Sequence, residues 1–193
     1  MDSKEYILGR FRRNVGKKYD MPDLGSIAGI TYPDPLVQFI NITQTNGSNL
    51  FELKPGDDIN KLIMECYPDA KTIASSLPEI RIANRNPETV ASARDLDGTD
   101  VGVVRAELGV AENGCMWVPQ QCKEKVVDFI SENLVILLPK DSIVNNMHEA
   151  YRKIKFNSYN FGTFIAGASK TADIAQVLVV GAQAARSCTI FLV

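Results

Sequence analysis

The stretch DVGVVRAELGVAENGCMWV, Asp100 to Val118, decides how this chain is read. Val101, Val103, Val104, Leu108, Val110 and Ala111 have the apolar density of buried strand, Gly114 breaks the run, and Cys115 to Val118 resumes it. The expectation is a pair of strands joined by a turn that carries Glu112. A carboxylate where a buried strand turns is costly unless it is solvated, paired or put to use. Glu112 therefore has two readings, a turn residue that caps or salt-bridges and a site residue.

Helical and strand patterns alternate around that stretch. Asp2 to about Val15 reads as an amphipathic helix with Ile7, Leu8, Phe11 and Val15 on one side. Arg10, Arg12, Arg13, Lys17 and Lys18 form a basic cluster there, read as a solvated helix face ahead of an anionic docking patch. Pro22 to Asp34 reads as a linker, Pro35 to Asn46 as a helix and Leu50 to Leu53 as a strand. Asp57 is the expected N-cap of a helix through Tyr67, and Lys71 to Ser75 the next strand. Pro78 to Gly98 is irregular, with a short helix at Pro87 to Arg94. After the Asp100–Val118 pair come a helix at Lys123 to Ile130 and a strand at Asn133 to Leu138. Asp141 is expected to cap a helix bearing His148, followed by a strand at Phe161 to Ala166, a helix from Thr171 to about Val177, and a strand at Ser187 to Val193. The alternation predicts an α/β domain with a mostly parallel or mixed central sheet. The expected organisation is a helical arm over residues 1–20 and a single α/β domain over residues 35–193. Cys188 to Val193 fits a central strand or one that pairs with a second subunit in a homodimer, and both stay open.

With 193 residues, 45 % of them hydrophobic, the chain can bury one good core. A net charge of −2 argues against a nucleic-acid partner. The polar opening Met1 to Tyr6 is followed by no apolar core of a secretory signal, and no segment has the apolar length of a membrane span. Cys66, Cys115, Cys122 and Cys188 form no C-x-x-C pair, which argues against a zinc site and for a cytoplasmic location. No metal ligands are assigned. His148, the single histidine, falls on the polar flank of an apolar stripe (Ile143, Met147, Ala150, Tyr151, Ile154), so it reads as a surface residue rather than part of a Ser-His-Asp triad.

A second segment, FGTFIAGASKTADIAQVLVV from Phe161 to Val180, reads as strand, small-residue loop and helix start. Gly167, Ser169, Lys170, Thr171 and Asp173 lie on it. A helix N-terminus offers free N–H groups and a positive dipole end to an anion, and Ser169 or Thr171 could equally cap the helix. Ala168 and Ser169 separate Gly167 from Lys170, which breaks the register of a phosphate-binding loop and excludes nucleotide hydrolysis. In open α/β sheets ligands gather beyond the carboxyl ends of strands. Glu112 and Gly167 to Asp173 share one cleft if their preceding strands are adjacent and run the same way.

Together the two segments resemble the LUD domain family, the lactate-utilisation proteins of the small C-subunit type. Ala111-Glu112-Asn113-Gly114-Cys115 matches an A-E-T-G-T-like turn. Ala166 to Ala175 matches S-G-P-S-R-T-A-D-I-E with an identical T-A-D-I core. The family continues to a G-H-G-P-like turn, where this chain has Gly181-Ala182-Gln183-Ala184; Gln183 can hydrogen-bond but cannot act as an acid or base. Lys170 in place of arginine removes bidentate recognition of an anion. The resemblance implies a three-layer α/β/α fold like that of the CoA-transferase, ribose-5-phosphate isomerase and glucosamine-phosphate deaminase group.

It also implies a part in the oxidation of L-lactate to pyruvate alongside iron–sulfur partner proteins. This chain lacks the clustered cysteines to hold a cluster itself, so no cofactor is assigned to it. Glu112 and Asp173 are the catalytic candidates that follow, with Asn113, Gly114, Gly167, Ser169, Lys170, Thr171 and Gln183 binding a small anionic metabolite. Glu112-Asn113-Gly114 also looks like the E-N-G of class I CoA transferases, whose glutamate forms an acyl-glutamyl thioester; there Asn113 and Gly114 would hold the oxyanion. Three readings therefore stand: a lactate-utilisation subunit, a CoA- or acyl-transferring enzyme using Glu112, and a non-catalytic metabolite-binding or regulatory module of the same fold.

Overall fold

The structure, a computed structural model, describes residues 2–17, 19–155, 161–173 and 176–193. Its frame follows from two of the most apolar runs. Strand β6 (Asn133–Leu138) is buried on both faces, and β11 (Ser187–Leu192) lies beside it in parallel, with Thr189 opposite Val135 and Ile190 opposite Ile136. With β1 (Asn49–Glu52), β2 (Ile73–Ala74) and β3 (Val101–Arg105) they form a five-stranded parallel sheet in the order β1-β11-β6-β3-β2. Period-two alternation then sorts the side chains between two cores. Leu134, Ile136, Leu138, Cys188, Ile190 and Leu192 point to one face, where Phe39 of helix α2 (Pro35–Thr45) is fully buried among them. Val101, Val103, Val135, Leu137 and Phe191 point to the other, against Ile63 of helix α3 (Ile59–Cys66).

Helices on both faces of the parallel sheet give the three-layer α/β arrangement. The α2 face carries an addition, a four-stranded sheet in the order β7-β4-β5-β8, built from β4 (Leu108–Val110), β5 (Met116–Pro119), β7 (Ile143–Val144) and β8 (Gly162–Ile165). Its outer face packs Leu108, Val110, Trp117 and Val144 against Ala150 of helix α5 (Met147–Lys153). Among the described residues no helix is long and apolar enough to cross a membrane.

Several local expectations are corrected. The Asp100–Val118 stretch makes three strands in two sheets rather than one pair: Ala106 N–H still donates to Leu137 of the parallel sheet at 2.9 Å, whereas Glu107 N–H donates to Trp117 of the second at 2.9 Å. Asp58, not Asp57, caps α3, because its Oδ1 accepts from Asn60 N–H at 3.0 Å while Asp57 is turned to Lys54 N–H at 2.8 Å. Asn146, not Asp141, caps α5 by accepting from Glu149 N–H at 3.0 Å. The short helix expected at Pro87 to Arg94 is a single 3₁₀ turn at Ala93–Leu96, closed by a reciprocal Ser92–Asp95 cap. Helix α4 is confined to Val127–Ile130. No helix starts at Thr171, because Lys170–Thr171 is a strand, β9, antiparallel to β10 (Val179–Val180); Ile174 and Ala175, in the middle of the expected helix, lie outside the described residues. His148 is exposed, and β11 lies inside the sheet between β1 and β6.

Candidate functional site

Strands β4 and β8 both pair antiparallel with β5, so they run the same way and open at the same end of the second sheet. They are not adjacent, because β5 lies between them, so the two motif segments meet the expected condition in direction but not in adjacency. After β4 the chain turns tightly: Gly114 N–H donates to Val110 at 2.9 Å and Val110 N–H to Cys115 at 2.8 Å. Gly114 sits at φ +73°, a region that side chains rarely adopt, and a Cβ there would stand 2.9 Å from Asn46 Nδ2. Gly114→Ala is expected to cost about 1–3 kcal/mol, read as a lowered denaturant midpoint.

Beyond β8, Gly167 at φ +76° brings the loop against the end of α2, where a Cβ would lie 3.1 Å from Ser48 Oγ and 3.3 Å from Asn46 O. Asn46, the C-cap of α2, joins the two loops. Its Nδ2 donates to Asn113 O at 3.0 Å, and its carbonyl accepts from Lys170 Nζ. Ser169 is held from the other side, its N–H on Ala185 O and its carbonyl on Gly181 N–H, each at 2.8 Å.

The individual candidates fare differently. Glu112 is exposed, and its Oε2 accepts from Met147 N–H at 2.9 Å, the first residue of α5. The carboxylate thus caps a helix N-terminus from a distant strand end, with the favourable sign for that end of the dipole. Glu112→Ala is expected to cost about 1 kcal/mol and to fray α5 first, measurable as faster amide exchange at Met147 and His148. Asn113 turns its Oδ1 to Cys115 N–H at 3.0 Å, and Gly114 N–H is spent on Val110, so this N–H does not face a developing oxyanion. Thr171 Oγ1 accepts from Asp173 N–H at 3.4 Å; Asp173 is exposed on a turn, and no hydrogen bond joins it to Glu112. Gln183 lies apart, in a groove at the amino ends of β3, β6 and β11 with Gly98, Glu132 and Arg186.

Burial, and secondarily Glu112, raise the Cys115 thiol, and burial pushes Cys188 up to about 12 against a smaller lowering by Ser48. Burial thus disfavours in both the thiolate form that acts as a nucleophile. Among the described residues no group of three or more His, Cys, Asp or Glu is placed to hold a metal.

Sequence reasoning missed Asn46, Ser48 and Asp128. Ser48 is 7 % exposed, its hydroxyl beside the buried Cys188 thiol. Asp128, on α4, is also 7 % exposed; burial alone pushes its carboxyl up to about 7. It lines a cavity of about 20 Å³, room for one water, with Ser76, Gln121 and Cys122. The signal for it was available: one acid inside the apolar run Val126 to Ile130. The N-G-S turn ending α2 carried no comparable signal.

The profile of the LUD domain family matches residues 86–193, which contain both motif loops and Gln183. The chain belongs to the LUD domain family. The match takes in β3 to β11 and leaves α2 outside, so Asn46 and Ser48 reach the LUD motif loops from a preceding segment. A crystal structure of a DUF162 family protein from Deinococcus radiodurans has the same fold at a TM-score of 0.59, covering 82 % of this chain and 95 % of that one. At 13 % identity that likeness concerns the LUD fold alone. No curated protein matches the chain.

Proposed function

We propose that this LUD protein acts in lactate utilisation, taking part in the oxidation of L-lactate to pyruvate with iron–sulfur partner proteins and binding a small anionic ligand between its two motif loops. The family match over residues 86–193 carries the proposal. The meeting of the Glu112 turn and the Gly167 loop around Asn46 supports it. Lys170 supplies the positive charge at that junction, its ammonium now on the Asn46 carbonyl and able to turn to an anion instead. The iron–sulfur clusters belong to the partners, and the reaction runs in the cytoplasm.

A tagged chain recovered from lactate-grown cells of its source is the test. Copurification of iron–sulfur proteins is the expected result, and their absence from repeated anaerobic preparations would sink the reading. Two observations favour a second reading, a non-catalytic metabolite-binding module of the same fold: the Glu112 carboxylate is engaged as a helix cap, and Gln183 lines a different groove. Under that reading a carboxylate metabolite raises the melting temperature with no turnover. A transferase using Glu112 would have to release Met147 N–H first. Incubation with acyl-CoAs, hydroxylamine trapping and intact-mass measurement are expected to show no adduct on Glu112.

A further inference from the structure

Helix α1 (Ser3–Asn14) buries no residue. Ile7 and Phe11 are 64 % and 68 % exposed, and Leu8 extends the same arc, while Arg12 and Arg13 lie outside it. A lone helix of this length is marginal in water, so an apolar arc of this kind needs a surface to persist. Charge indicates which surface. Residues 1–20 hold six basic and three acidic side chains, a net of +3, which leaves −5 for the rest of a chain whose total is −2. The body is therefore complementary to the arm, and an anionic lipid surface would repel it.

One groove on the body matches both faces of the helix. It lies at the amino ends of β3 and β6 and encloses about 580 Å³. Val126, Phe129 and Ile130 supply apolar wall, and Asp97, Asp100 and Glu132 supply acid. Phe129 is 37 % exposed there. Glu132 already holds Arg186 at 2.7 Å, and Asp100 accepts from Lys71 and Thr72 N–H at 2.8 Å, so both acids are fixed in place. Leu24, Ile30 and Tyr32 are tied to the body through Arg152, Asn146 and Asn145, so the free linker is residues 15–23. Extended, it reaches about 30 Å, and with the helix's own span of about 18 Å this is enough to carry α1 to an adjoining molecule.

We infer that α1 of one copy docks in this groove of a second copy, its apolar arc on Phe129 and its arginines toward Asp97, and that the exchange is reciprocal. The assembly is a two-fold dimer with exchanged arms. Because Gln183 lines the same groove, the partner's helix covers the segment that follows β10.

The test uses the full chain in sedimentation velocity at physiological salt, with circular dichroism as a fold control. The wild type is expected to be a dimer. Phe11→Asp and the double change Arg12→Glu, Arg13→Glu are each expected to weaken dimerisation at least tenfold while leaving the fold intact. Asp97→Arg is expected to weaken it alone and to restore part of the loss when combined with the arginine reversals. A photo-crosslinker at position 11, in a mixture of isotopically light and heavy chains, should give light–heavy links to the Val126–Ile130 peptide. A monomeric wild type, links confined to single chains, or a dimer indifferent to the arm variants would overturn the inference. So would a monomer whose arm binds phosphatidylserine vesicles.

Discussion

Replacing Asp128 by Asn is expected to stabilise the protein by about 4 kcal/mol at pH 8 and to change little at pH 4. The Asp128 carboxyl sits at about 7 when folded against 3.8 in the exposed chain, with burial as the cause. The folded state thus holds a proton that the unfolded state has released through the window between those values. The resulting stability is fully present below pH 3.8, drains as pH rises towards 7 and is absent above it. Asn keeps the shape and hydrogen-bonding capacity without the ionisation. Urea midpoints of wild type and variant at pH 4, 6 and 8 measure the difference, in which most other titrations cancel. Parallel pH profiles for the two proteins would show that Asp128 is solvated, or paired, through its cavity in solution.

Phe39→Ala should cost about 3–5 kcal/mol, the usual toll of a fully buried phenyl ring whose cavity cannot collapse. Phe39 is 0 % exposed and is wedged where α2 meets both sheets; a Cβ on Gly109 would stand 3.0 Å from its ring and from Leu138. Two turns further along α2 comes Asn46, which holds the motif loops. The same substitution is therefore expected to speed amide exchange at Cys115 and Ser169 beyond the change seen in α3 on the opposite face. A loss of less than 1 kcal/mol would mean that α2 is not the wedge described.

The parts of the fold that sequence resolved are those whose burial is decided locally. β6 and β11 are runs of apolar residues bounded by polar ones, and α2 opens with Asp34-Pro35, a cap and a first-turn proline. Errors arose where tertiary pairing overrides local preference. Nothing in Ala106-Glu107 marks the point where the chain leaves one sheet for another, because the change lies in which carbonyl each N–H finds. Lys170-Thr171 could start a helix and is instead drawn into a ladder with Val179 and Val180. The proximity of the Glu112 turn and the Gly167 loop was legible only as a condition on strand order, which a single sequence does not reveal. Asn46 was invisible for the same reason: its partners Asn113 and Lys170 are 67 and 124 positions away. Of the two readings open for Glu112, the contact the structure shows is a cap, its carboxylate holding the start of α5.

Strand β11 ends at residue 192 yet occupies the second position of its sheet, between β1 and β6. On the ribosome, β1 and β6 therefore each emerge with a bare edge and wait for a neighbour separated from the end of β6 by 48 residues, 139–186. The parallel sheet closes only once β11 has been translated, so its completion depends on pairings distant in sequence. Any ribosome that stops before Ser187 leaves a polypeptide with two unsatisfied strand edges and an open apolar seam, a substrate for chaperones and proteases rather than a shortened working protein.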